Sequence, residues 1–150
     1  MSEDELEVSV AIGVMARHDR LFSGADIRQC AIELGLVPQP DGRWFGYDTE
    51  GAPILWVEDW KARPLTGEAA VKTVGFSIVA RPPAGGIGGF DRTVEVARTF
   101  AQALGGSLVD EHCCPLPETA LAATRRALAS ILDKLEREGG ELLAVVGVMP

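Results

Sequence analysis

Glu7 to Val14 alternates strictly, with Val8, Val10, Ile12 and Val14 on one side and Ser9, Ala11 and Gly13 on the other. A period of two predicts a half-buried strand, and the small residues leave its second face flat and open. Thr73 to Arg81 repeats the pattern, with Val74, Phe76, Ile78 and Ala80 inward and Ser77, Val79 and Arg81 outward. Between these strands the period changes. Ser23 and Asp26 resemble a capping box, and Ile27, Cys30, Ala31 and Leu34 then fall at i, i+3, i+4 and i+7, which predicts a helix. Gly35 closes it, in the left-handed position that only glycine takes at little cost.

Residues 43–48 and 53–61 are aromatic-rich runs joined by Asp48-Thr49-Glu50-Gly51, a hairpin signal with a glycine suited to a bulge. Pro38, Pro40 and the Pro40-Asp41-Gly42 turn put the first of these strands, 43–48, on an edge or interrupt it. Residues 62–72 read as a loop, as does Pro82 to Gly89. A helix follows with Phe90, Val94, Ala97, Ala101 and Leu104 on one stripe, Gly105-Gly106 ends it, and Ser107 to Glu111 forms a short strand. A third helix opens near Pro117, buries Leu121, Thr124, Leu128, Ile131 and Leu135, and closes at Gly139-Gly140. Strand, loop, helix, glycine and strand thus occur twice, a split β-α-β pattern. The expected fold is α+β, a mainly antiparallel sheet with three helices on one face. Residues 1–6 form an acidic lead, 7–140 the domain and 141–150 an apolar extension. That extension, Leu142 to Met149, carries no charge and is expected to lie along a sheet edge or across the open sheet face.

The remaining composition narrows the function. The chain has 150 residues and a formal charge of −8, which argues against a phosphate-binding surface for nucleic acid or anionic lipid. No apolar run approaches the roughly 20 residues of a membrane helix, and the acidic start is the reverse of a secretory leader. Three cysteines, two of them adjacent, build no disulfide framework and suit a reducing cytoplasm. His112-Cys113-Cys114 is a poor metal sphere, because tetrahedral zinc needs four ligands. Its thiols are expected to be small apolar filler at a strand end. The glycines of 82–89 lack both the Lys-Ser/Thr of a P-loop and dinucleotide spacing. Asp91 and Glu95 read as solvated helix charges. No metal or cofactor is expected, and the chain reads as a non-enzyme. The alternative is a small-ligand binder or thiol enzyme using Cys113 and the 82–89 loop.

What remains is the uncovered sheet face, either plain wetted surface or a docking platform for a peptide. Several segments bear on this: the Val8–Val14 strand, Arg17-His18, Phe22-Ser23-Gly24, Leu34-Gly35, Pro53-Ile54-Leu55-Trp56, Arg63-Pro64, Gly75-Phe76-Ser77-Ile78, the Pro83 turn and Ala103 to Glu111 before Pro117. In order and spacing they resemble the ZipA C-terminal domain family, whose members bind the tail of the division protein FtsZ. The resemblance spans residues 7 to about 138. It implies a six-stranded sheet backed by three helices and a shallow groove for the FtsZ C-terminal peptide. It also implies a cytoplasmic domain at the division septum. In the family this domain is tethered to the inner membrane through an N-terminal helix that is absent here. Matched by position, the groove falls on Ser9, Gly42, Asp59, Lys61, Arg63, Ser77 and Val79, with Ala11 and Arg81 beside them. Ser9, Gly42, Lys61 and Val79 stand where the family has larger apolar residues. A register slip of one residue swaps the faces, and Phe45, Tyr47, Leu55 and Val57 would then supply the missing apolar surface.

Overall fold

The structure, a computed structural model, describes residues 10–18, 20–66, 71–80 and 86–137. The expectations for Ser9, Arg81, the acidic lead, residues 82–85 of the glycine-rich loop and the 141–150 extension lie outside the described residues.

Strand β1 (Val10–Ala16) sits between β7 (Gly75–Ala80) and β8 (Gly106–Val109), antiparallel to both. Outward from β7 come β5 (Pro53–Asp59), β4 (Trp44–Tyr47) and the edge strand β3 (Val37–Pro38), giving the order β3-β4-β5-β7-β1-β8. All neighbours are antiparallel. Pro38 cannot donate to a ladder, which suits its place on an outer strand. Between β4 and β5 the register shifts at Gly46/Tyr47, so Gly46 faces Leu55 while Tyr47 faces Pro53. A separate two-residue pair joins β2 (Phe22–Ser23) to β6 (Lys72–Thr73). The end of the expected 62–72 loop is therefore a short strand.

Helix α1 (Gly24–Glu33) starts as the capping pattern requires, with the amide of Asp26 donating to Ser23 Oγ at 3.1 Å. It ends in a Schellman turn: Leu36 N–H donates to Ala31 C=O at 2.9 Å and Gly35 N–H to Ile32 C=O at 3.0 Å. Gly35 has φ +79 and nothing stands within 4 Å of a Cβ built there. A Gly35→Ala variant meets only the left-handed backbone penalty and is expected to lose about 1 kcal/mol of stability, read from a denaturant midpoint.

Helix α2 (Gly86–Leu104) begins inside the stretch read as loop. Burial of Phe90, Val94, Ala97 and Phe100 stabilises it, overriding the poor helix propensity of Gly86, Gly88 and Gly89. It packs on β1, β7 and β8, while α1 and α3 (Glu118–Arg137) pack on α2. Asp91 and Glu95 are not simply solvated. Asp91 accepts a bidentate pair from Arg125 of α3 at 2.8 and 2.9 Å, and Glu95 accepts from Arg92 at 2.9 Å. On the α3 stripe Leu121 and Leu128 are buried, while Ile131 is 42% exposed and Leu132 packs against the core in its place.

The core is centred on three rings. Phe76 lies 5.5 Å from Phe22 and 5.0 Å from Phe100, centroid to centroid, with Ile12, Val14, Val57 and Ile78 around them. All of this packing is on the helix side of the sheet. Among the described residues no helix is long and apolar enough to cross a membrane.

Candidate functional site: the uncovered sheet face

Alternation fixes which side chains turn away from the helices. On β5, Leu55, Val57 and Asp59 are buried while Trp56 and Glu58 are half-exposed; on β7, Ser77 and Val79 are half-exposed; on β1, Ala11 is exposed. Directly opposed residues share a face. Phe45, Trp56, Val79 and Ala11 therefore form one transverse row across β4, β5, β7 and β1, with Val37 at its outer end. The next row holds Glu58, Ser77 and Gly13. Gly13 has no side chain because Val109 from β8 occupies that space: a Cβ there would meet its Cγ2 at 2.7 Å. Beyond it, Trp60 N–H donates to Gly75 C=O at 3.2 Å, and Met15 lies over Gly75.

The rings on this face touch one another. Phe45 and Trp56 are stacked with centroids 6.1 Å apart, and Tyr47 is 6.1 Å from Phe45. The Arg43 guanidinium stands 4.8 Å above Phe45 and 5.6 Å from Trp56, within cation–π range. The Trp56 indole donates to Glu58 at 2.6 Å. Trp60 is 47% exposed with the Lys61 ammonium 4.9 Å from its ring. At the same end, a depression of about 300 Å3 is lined by Asp41, Arg43, Glu58, Ala62 and Arg63.

The sequence-derived site residues separate accordingly. Ala11, Ser77 and Val79 do share the uncovered face. Gly42, Lys61 and Arg63 lie in the two loops at one end of it. Gly42 is packed against Pro64 and its carbonyl accepts from Leu65 N–H at 3.0 Å. Asp59 must be corrected. It is 2% exposed on the helix side and accepts from the Thr73 hydroxyl, from Lys61 N–H at 2.9 Å and from Arg63 Nε at 3.1 Å. Its role is to fasten the loop that carries Lys61 and Arg63. Burial raises its carboxyl pKa, but the hydrogen bonds from Thr73, Lys61 and Arg63 outweigh that and hold it below the usual value. Leu55 and Val57, offered as groove suppliers in the other register, are likewise in the core. Sequence reasoning missed Trp56, Trp60 and Arg43. Their signal was the alternation Leu55-Trp56-Val57, which turns the tryptophan outward once the leucine and valine are placed inward.

The cysteine motif also sits differently from expectation. Strand β8 stops at Val109, and Asp110 Oδ1 accepts from the amides of His112 and Cys114 at 2.8 and 3.0 Å, forming a tight turn with Cys113 at φ +63. Cys113 and Cys114 are exposed on that turn rather than packed as filler. Cys30 is buried, and burial pushes its thiol up to about 11, which leaves it protonated and inert. Among the described residues no group of three or more histidine, cysteine or acidic side chains is placed to hold a metal ion.

Compared with protein families, residues 9–127 match the model described as ZipA, C-terminal FtsZ-binding domain. No curated protein sequence matches the chain.

Proposed function

Because the chain belongs to the ZipA C-terminal FtsZ-binding domain family, a protein-binding family of cell division, we propose that it binds the C-terminal tail peptide of FtsZ on the uncovered face of its sheet. Phe45, Trp56 and Val79 are the centre of the contact, and Ala11 and Ser77 form its flat floor. The domain then acts in the cytoplasm at the division site, as an adaptor rather than a catalyst, with no cofactor.

The observation that carries this reading is the in-register row Phe45–Trp56–Val79–Ala11 on a face that no described helix covers. Rigid aromatic side chains are the usual anchors of peptide interfaces, since they bury much area and lose little rotamer freedom. The sheet edges favour the face as the docking route. On β3, Pro38 removes a donor, and along β8 Pro115 bridges Val109 while Leu116 N–H donates to Leu108 C=O at 3.1 Å. An added strand finds few open ladder positions there.

The test is calorimetric titration with the FtsZ tail peptide of the same organism. Trp56→Ala is expected to weaken binding about thirtyfold, the effect of losing an anchor worth about 2 kcal/mol. Val79→Glu, which sets a charge in the middle of the row, is expected to reduce binding by at least as much. Both side chains are on the solvent side of the sheet, so stability should fall by only about 1 kcal/mol, the worth of a cross-strand pair such as Phe45–Trp56. Unchanged affinity in both variants would overturn the proposal.

A further inference from the structure

The depression beside the aromatic row has an unusual arrangement of hydrogen-bonding groups. Asp41 accepts from the amide of Arg43 at 3.0 Å and from its Nε at 2.8 Å, so the guanidinium is pinned from one side while its plane rests near Phe45 and Trp56. Arg63 is held in the same manner, with Nε on the buried Asp59 at 3.1 Å. In both arginines the Nε edge is engaged inside the protein. Among the described residues the Nη groups of both have no hydrogen-bond partner. Two carboxylates share the walls: Asp41 accepts twice from Arg43, and Glu58 Oε1 accepts from the Trp56 indole at 2.6 Å. The depression therefore presents guanidinium donors positioned through their Nε edges, with the Nη edges turned to no partner among the described residues.

Building on the reading above, we infer that this depression is a carboxylate seat: an acidic side chain of the docked peptide is held between the Nη groups of Arg43 and Arg63. Two parallel N–H groups fit the two oxygens of a carboxylate in a way that an ammonium or hydroxyl cannot reproduce. The stacking of Arg43 on the rings keeps the fork in place before the ligand arrives, which lowers the ordering cost of binding. The geometry also sets a sequence rule for the partner. Since the guanidinium lies 4.8 Å from the Phe45 ring, the acidic residue stands within one or two positions of the apolar residue that packs on Phe45 and Trp56. Arg43 thus sets specificity, and Asp41 positions it.

The experiment is a double-mutant cycle with the same FtsZ tail peptide, in which each carboxylate is replaced in turn by its amide. One replacement is expected to weaken binding to the wild-type domain about tenfold, and to weaken binding to Arg43→Gln less than twofold. Arg43→Lys keeps the charge but loses the planar fork, and is expected to fall between the two. Arg63→Gln gives an independent cycle at the same peptide position. If no peptide carboxylate couples to Arg43 or Arg63 while Trp56→Ala still destroys binding, the carboxylate seat is wrong and the docking face stands. If Trp56→Ala and Val79→Glu both leave affinity intact, or the peptide does not bind the wild-type domain, both fall.

Discussion

Phe76→Ala is expected to cost about 3–5 kcal/mol of folding free energy, the range for emptying a fully enclosed aromatic site. Phe76 is 1% exposed and bridges Phe22, beside the first turn of α1, to Phe100 on α2, with β7 setting it opposite Val14 of β1 and Asp59 of β5. Its removal leaves both partner rings without an edge contact, and neither can close the gap without moving a helix. A domain of this size has about 5–15 kcal/mol in total. The loss should appear as a large fall in denaturant midpoint with an unchanged slope. A shift below 1 kcal/mol would mean that the helix layer repacks freely, contrary to the packing described.

Asp59→Ala is expected to cost about 1–3 kcal/mol, because it removes the buried acceptor that ties together the Thr73 hydroxyl, the Lys61 amide and the Arg63 guanidinium, although Thr73 keeps the Gly75 carbonyl at 2.8 Å and Arg63 keeps water. The same carboxylate predicts a pH dependence with a definite sign. Its folded pKa is lowered, so its stabilisation is fully present above the unfolded value near 4 and is lost as pH falls through the folded value. The stability difference between the wild type and Asp59→Asn should therefore shrink as pH drops below about 4. It should stay flat from pH 5 to 8. A difference that grows on acidification would contradict the hydrogen-bonding assignment.

The legible parts of this fold are those governed by local rules. Alternation in Val10–Ala16 and Gly75–Ala80 announced two interior strands, and Ser23 with Asp26 announced the start of α1. The strand expected at the edge, 43–48, is instead flanked by β3 and β5, the edge being taken by the unexpected pair Val37–Pro38. The candidate site was harder, because its membership depends on long-range register. Pairing of β5 with β7, Trp56 against Val79 and Val57 against Ile78, brings Trp56 onto the uncovered face beside Val79, and no local signal in either strand announces which residues will oppose one another. Asp59 was misplaced for the same reason: one step along a strand exchanges faces. The start of α2 within a glycine-rich segment was illegible for another reason. Tertiary burial of Phe90 and Val94 determines it, and local propensity opposes it.

The order of the sheet also has a consequence for how the chain is made. Strand β1, which precedes the other described strands, ends up between β7 and β8: Val14 faces Phe76 on one side and Leu108 on the other. Those partners lie about sixty and ninety residues downstream, and such distant pairing slows folding. During synthesis at roughly 5–20 residues per second, the apolar edge of β1 waits several seconds before either neighbour exists. The hairpin of β4 and β5, whose halves are adjacent in sequence, has no such delay. β1 is therefore expected to be enclosed only after the β4–β5 hairpin has paired, since both of its neighbours are made later.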